Sequence, residues 1–187
     1  MGRLPAVPGR VPFAVTCAVL GAVRGLPRGR AAAQTWDVEW NRYRFRNTWQ
    51  VEAEPERVYE VLVRPDRYPG WWPQVREVRQ TGETTGVLRF RSVLPYDLTV
   101  AARSVRQDPA ARVLEAAMTG DLEGWVRWTL VPSPPAATRV LFEQEVTVRK
   151  PLMRRLALPC RPLFRANHAL MMRACRHGLL AHLRLPV

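Results

Sequence analysis

Between residues 75 and 148 the chain is a series of short runs in which apolar and polar residues alternate, separated by turn residues. This alternation is the period of a strand with one buried face, and the Gly, Pro and Asp residues between the runs favour tight turns. Links of hairpin length require antiparallel pairing. The predicted strands are 75–80, 87–94, 98–106, 113–118, 122–131 and 139–148. The chain is therefore predicted to form a meandering antiparallel sheet with one apolar face.

Three elements are predicted before this meander. Alternation over residues 43–51 predicts a first strand with an apolar face and a cationic face. A helix is predicted to begin at Pro55, because proline is favoured in a first helical turn, and to stop before residue 65. The segment 65–73, PDRYPGWWP, contains three prolines and a glycine, which favours a short helix or turn.

A long helix is predicted to close the chain. With Leu163 at zero and 100° per residue, its apolar side spans roughly 340° through 100°. The residues on this side are Leu163, Phe164, Leu170, Met171, Ala174, Gly178 and Ala181. Asn167 falls near 40°, well inside the arc, and His168 near 140°, closer to its edge. A buried amide or imidazole must be hydrogen-bonded, so either a protein group or a molecule in a cavity is expected to meet this pair.

Length and charge favour one domain with basic ends. The 187 residues, 47% of them hydrophobic, suffice for one well-buried domain. Residues 1–30 hold five arginines and no acid, and residues 149–187 hold eight arginines, one lysine and no acid. The other 15 cations lie with all 16 acids in residues 31–148, so the net charge of +13 belongs to the two ends.

The cysteines and the first residues bear on the compartment. Cys17, Cys160 and Cys175 are odd in number and lack metal-ligand spacing, which indicates free thiols and a cytoplasmic protein. The domain is predicted to cover residues 39–184, and residues 1–38 are interpreted as a disordered or non-conserved extension. The alternative is an exported protein, since the apolar run 11–23 follows two arginines like a signal peptide. A run of about thirteen residues is too short to span a bilayer, so no integral membrane segment is expected.

Five short motifs occur in order along the domain. They are Pro55-Glu56-Arg57-Val58 at a helix start, Pro65-Asp66-Arg67-Tyr68 followed by Trp71-Trp72-Pro73, Gly120-Asp121-Leu122-Glu123-Gly124, Thr138-Arg139-Val140, and Asn167-His168 in the last helix. Their order and spacing resemble the START-like (SRPBCC) superfamily of polyketide cyclases and lipid-transport proteins. The resemblance implies an α+β helix-grip fold, in which a curved antiparallel sheet wraps a long C-terminal helix and leaves an internal hydrophobic cavity.

The implied cavity defines the candidate ligand-binding residues. Gln144 and Asn47 share the parity of apolar neighbours on their strands and should point inward. Trp71 and Trp72 could form a lid at the cavity mouth or hold the small helix in place, and the apolar candidates could equally be core. The full set is Asn47, Trp49, Trp71, Trp72, Phe90, Met118, Trp128, Gln144, Asn167, His168 and Met171.

Three functional hypotheses follow. The first is a binder of a small hydrophobic molecule such as a lipid, a quinone or a polyketide-like compound. The second is an enzyme, a polyketide aromatase/cyclase or dehydratase acting on a poly-β-ketone, with His168 as proton shuttle and Asn167 as carbonyl donor. The third is a basic surface-associated lipid or nucleic-acid binder.

The arginines of this third hypothesis are Arg154, Arg155, Arg161 and Arg165. No base-stacking aromatic residues accompany them, so no nucleic-acid partner is expected. The chain has no HExxH, CxxC, GxSxG or P-loop motif, and no metal or cofactor is expected. The oligomeric state is left open.

Overall fold

The computed structural model describes residues 41–92, 94, 96–155 and 157–184, without the side chains of residues 157 and 158. The predicted extension of residues 1–38, its signal-like alternative and Cys17 lie outside the described residues. Cys160 and Cys175 are free thiols.

Seven strands and three α-helices form the described domain. The strands are β1 (Arg42–Val51), β2 (Val75–Gln80), β3 (Thr85–Arg91), β4 (Asp97–Asp108), β5 (Val113–Gly120), β6 (Leu122–Ser133) and β7 (Ala137–Val148). The helices are α1 (Pro55–Leu62), α2 (Pro151–Arg155) and α3 (Ala157–Arg184), and a 3₁₀ helix covers Pro65–Gly70. All the predicted elements are confirmed. The largest difference is at β3, which stops before residue 92, where the amide N of Leu94 bonds to Ser92 Oγ (3.0 Å) and the chain turns.

The strands form one antiparallel sheet in the order β1-β7-β6-β5-β4-β3-β2. Six of the seven strands follow each other as a meander, and β1 pairs with β7, which joins the first strand to the last. Register shifts interrupt β2–β3 and β4–β5 pairing. Such bulges bend and twist a strand, which suits the curved open sheet seen here. The fold is the helix-grip arrangement, with α3 against the concave face of the sheet.

The outer face of β1 is cationic, as its alternation predicts. Arg44 and Arg46 pair with Glu145 (2.7 Å) and Glu143 (3.3 Å) of β7, and Arg42 also contacts Glu145. These hydrogen bonds lower the pKa of Glu145. Pairs between exposed charges contribute roughly 0–1 kcal/mol each, so the main source of stability is the opposite, apolar face.

The 3₁₀ helix and its tryptophans close one end of the core. Tyr68 Oη donates a hydrogen bond to the carbonyl oxygen of Leu62 (2.6 Å), which attaches this segment to α1. Trp71 lies against α3, where Gly178 has no space for a side chain because a Cβ atom would overlap the carbonyl oxygen of Trp71. Trp72 instead turns toward the sheet and meets Phe90, with ring centroids 5.9 Å apart.

Helix α3 is rotated about a quarter turn from the predicted wheel position. Leu163 (48% exposed) and Leu170 (50%) face solvent, so their placement on the core side was wrong. The buried residues are Phe164, Asn167, Met171, Met172, Cys175, Leu179 and Leu183. Their mean direction is about 125°, compared with about 40° for the predicted arc. His168 therefore lies near the centre of the buried arc and Asn167 at its edge, the reverse of the prediction. Among the described helices, none combines the length and apolarity needed to cross a bilayer.

Candidate ligand-binding cavity

A cavity of about 410 Å³ lies between the concave face of the sheet and α3. Alternate residues of the strands point into it, which is why its lining is mainly apolar. Representative lining residues are Phe45, Phe90, Val100, Met118, Phe142 and Met171. The exposed lining residues Asp66, Glu83 and Thr84 belong to the 3₁₀ helix and the β2–β3 turn, so the cavity opens between these two segments.

His168 projects from α3 into this cavity and meets Gln144 of β7. Its Nε2 lies 3.0 Å from Gln144 Oε1, and its ring stacks on Phe45 with centroids 3.6 Å apart. Burial lowers the pKa of His168 to about 4, and the nearby Arg165 lowers it further. The imidazole is therefore neutral at pH 7. With Nε2 donating its proton to the Gln144 amide oxygen, Nδ1 keeps its lone pair.

Asn167 is buried (6% exposed) at the other side of the same helix turn. Its Oδ1 accepts a hydrogen bond from Ser92 Oγ (3.0 Å), and its Nδ2 donates to Tyr96 Oη (3.4 Å). Ser92 and Tyr96 flank the connection between β3 and β4. Asn167 thus fastens α3 to this connection and already has protein partners, whereas His168 faces the middle of the cavity.

Two buried donors in the cavity lining have no hydrogen-bond partner among the described residues. They are Tyr43 Oη, on β1, and Trp72 Nε1. Burial raises the pKa of Tyr43, although the Arg161 guanidinium 4.9 Å above its ring partly offsets this, so the phenol is protonated at neutral pH. A buried polar group without a partner costs about 1–3 kcal/mol. Such groups are expected where a ligand supplies the missing acceptor.

The structure brings eight of the eleven candidate residues to the cavity lining. They are Trp72, Phe90, Met118, Trp128, Gln144, Asn167, His168 and Met171. Asn47, Trp49 and Trp71 are not among the described lining residues. Asn47 is half-buried opposite Phe142 on β7, and the Trp49 ring packs 5.7 Å from that of Trp128.

Sequence reasoning missed Tyr43 and Phe45 as site residues. Both share the inward parity of Asn47 on β1, and this signal was available. The direction of an aromatic side chain on a strand follows from parity, but its hydrogen-bonding deficit does not. That deficit appears only when the neighbouring elements are in place.

A curved antiparallel sheet gripping a C-terminal helix, with an apolar cavity between them, defines the helix-grip class of ligand-binding proteins. The model of the polyketide cyclase / dehydrase and lipid transport family matches residues 51–171, and the chain belongs to this family. The match covers the stretch from the end of β1 to the middle of α3. No curated protein sequence matches the chain.

Solved structures share the fold at low sequence identity. The Zhui aromatase/cyclase from Streptomyces sp. R1128 is 19% identical over 76% of this chain and 93% of its own, with a TM-score of 0.62. A protein from Thermus thermophilus is 16% identical over 75% and 97%, with a TM-score of 0.66. A START superfamily protein from Mycobacterium smegmatis is 16% identical over 75% and 96%, with a TM-score of 0.59.

The low pKa of His168 predicts a loss of stability in mild acid. The folded-state pKa of about 4 is below the ordinary value of 6.5, so the unfolded chain takes up the proton first as the pH falls. The free energy of unfolding should drop by about 2 kcal/mol between pH 6.5 and 4 because of this residue. Urea denaturation over a pH series measures the drop, and His168→Gln should reduce it.

The matched control is His177→Gln, since His177 is exposed on the outer side of α3. This variant should keep the pH dependence of the wild type. An identical pH dependence in His168→Gln and the wild type would contradict the buried, neutral state of the imidazole.

Proposed function

We propose that this protein binds a small hydrophobic molecule that carries at least one oxygen acceptor, such as a lipid, a quinone or a polyketide-like compound. The observation that carries the proposal is the pair of unpartnered donors, Tyr43 Oη and Trp72 Nε1, buried in the lining of an otherwise apolar cavity. Apolar burial supplies affinity in such sites, and a few polar groups supply orientation.

The charges around the cavity support a ligand with a neutral body. Among the described lining residues, Asp66, Glu83 and Arg106 are exposed, and Glu115 pairs with Arg127 at 2.9 Å. His168 is neutral, so it adds a polar surface without a charge. A buried ion of the ligand would lack a counter-charge, which is costly in an apolar site. The volume of about 410 Å³ is within the ordinary range of ligand sites.

A second candidate function is that of a polyketide aromatase/cyclase or dehydratase. It is favoured by the free lone pair on Nδ1 of a neutral His168, which could remove a proton from a poly-β-ketone. Because Asn167 already bonds to Ser92 and Tyr96, Tyr43 Oη is the better donor to the substrate carbonyl. A base with a pKa of about 4 gives a small driving force for proton removal, and this ranks binding above catalysis.

Removing the Tyr43 hydroxyl should separate stability from binding. In Tyr43→Phe the empty protein loses a buried unpaired group, so its free energy of unfolding should rise by about 1 kcal/mol. Binding of a long-chain methyl ketone should weaken by about tenfold, while binding of the alkane of equal length should be unchanged. Chemical denaturation and titration calorimetry measure the two effects.

Tyr59→Phe is the matched control. Tyr59 Oη is also buried without a described partner, but Tyr59 is not among the described residues lining the cavity. Its loss should stabilise the protein and leave ketone binding intact. Equal ketone affinity in Tyr43→Phe and the wild type would contradict the anchoring role of Tyr43.

Native mass spectrometry of protein purified from its source organism tests the binding function directly. The wild type should carry a non-covalent hydrophobic molecule. Ala116 lines the cavity on β5, so Ala116→Phe should expel the molecule by filling its space. Ala117→Phe, a change of equal size on the other face of the strand, should keep it. Retention of the molecule by folded Ala116→Phe, or an empty wild type, would count against the proposal.

A turnover assay tests the enzymatic candidate. Incubation with a poly-β-ketone should give a cyclised or dehydrated product, detected by its mass. His168→Gln should reduce the rate by about a hundredfold or more, and His177→Gln should leave it near that of the wild type. A wild type that returns the poly-β-ketone unchanged would exclude this candidate while leaving the binding function standing.

A further inference from the structure

The solvent side of α2 and α3 exposes three leucines. Leu152 is 52% exposed, Leu163 48% and Leu170 50%. Leu163 and Leu170, with the exposed Ala166 between them, follow the spacing of one helix face. These leucines do not contribute to the core, and their exposure places apolar area on the outside of the domain next to its most basic segment.

Exposed arginines surround these leucines. Arg154 and Arg155 lie on α2 and Arg165 and Arg173 on α3, all of them exposed. Within the described residues, none of these four guanidinium groups has a carboxylate partner. The cause is in the sequence, because residues 149–187 contain no Asp or Glu. We call the surface formed by the three leucines and these four arginines the docking face.

We propose that the docking face binds the surface of an anionic lipid membrane. Helix faces that combine exposed leucines with arginines lie in the membrane interface, where the apolar side chains enter the acyl boundary and the cations meet anionic head groups. Arginine suits this location because its aliphatic stem packs along apolar surface while the guanidinium stays at the polar boundary. The inference goes beyond the proposed function, since it concerns a surface on the opposite side of α3 from the cavity.

The charge of the docking face excludes the other occupants that its leucines would admit. A second copy of the chain would bring the same cations against it and be repelled. The segment of residues 1–30 carries five arginines and no acid, so it is repelled as well. A nucleic acid would satisfy the arginines but would leave the leucines in water, and the docking face has no aromatic ring for base stacking.

Docking in this orientation would bring the cavity close to lipid. His168 and Met171 line the cavity from the inner side of α3, while Leu163 and Leu170 lie on its outer side. An α-helix with its side chains is about 10 Å across, so one helix would separate the cavity from the membrane surface.

Vesicle sedimentation of the full chain tests the proposal. The probes are phosphatidylcholine vesicles and phosphatidylcholine vesicles containing phosphatidylserine, each at low and high salt. The double variant Leu163→Ser/Leu170→Ser removes the apolar contact. Its control is Val105→Ser, because Val105 is equally exposed (53%) but lies on β4. Arg165→Glu/Arg173→Glu reverses charge on the docking face, and Arg103→Glu/Arg139→Glu makes the same change at exposed positions on the sheet.

The wild type should bind the anionic vesicles, and high salt should weaken this binding. The leucine variant and the docking-face charge variant should each bind at least about tenfold more weakly, and the controls should stay within about twofold of the wild type. The proposal is overturned by equal binding to both vesicle types, by leucine variants that bind like the wild type, or by charge reversal that has the same effect on the sheet as on the docking face. Binding to duplex DNA without binding to vesicles would also overturn it.

Discussion

The pairing of β1 with β7 is the contact on which the rest of the structure depends. It joins the first strand to the last across the whole length of the meander, with Phe45 opposite Gln144 in register. That register places the Phe45 ring under His168 and the Gln144 amide beside the imidazole. Contacts between elements so distant in sequence are entropically costly to form, and the apolar face of the paired strands supplies the compensating burial.

Polar groups inside the cavity divide between structure and recognition according to whether protein partners reach them. Asn167 is satisfied by Ser92 and Tyr96, so it holds α3 against the β3–β4 connection. Tyr43 and Trp72 are left with unpaired donors in an apolar lining. Burial without a partner is tolerated where it serves a ligand, since it makes the empty site less favourable than the occupied one.

Most of the fold was predictable, because alternation over residues 43–51 and 75–148 specifies strands, and short links specify antiparallel neighbours. The inward direction of Gln144 followed from the same parity. The rotation of α3 did not follow. The wheel counted Leu163 and Leu170 as core because they are apolar, yet Met172, Cys175, Leu179 and Leu183 are the residues that meet the sheet and α1.

The sequence by itself determined the strand order, the position of the closing helix and the acid-free C-terminal segment, since periodicity and charge are properties of neighbouring residues. Only the tertiary structure decided which side of α3 faces inward, and with it the neutral state of His168 and the exposure of two leucines. The physical reason is that a helix with apolar residues around more than half of its circumference has no single buried side of its own. Packing against the curved sheet selects that side.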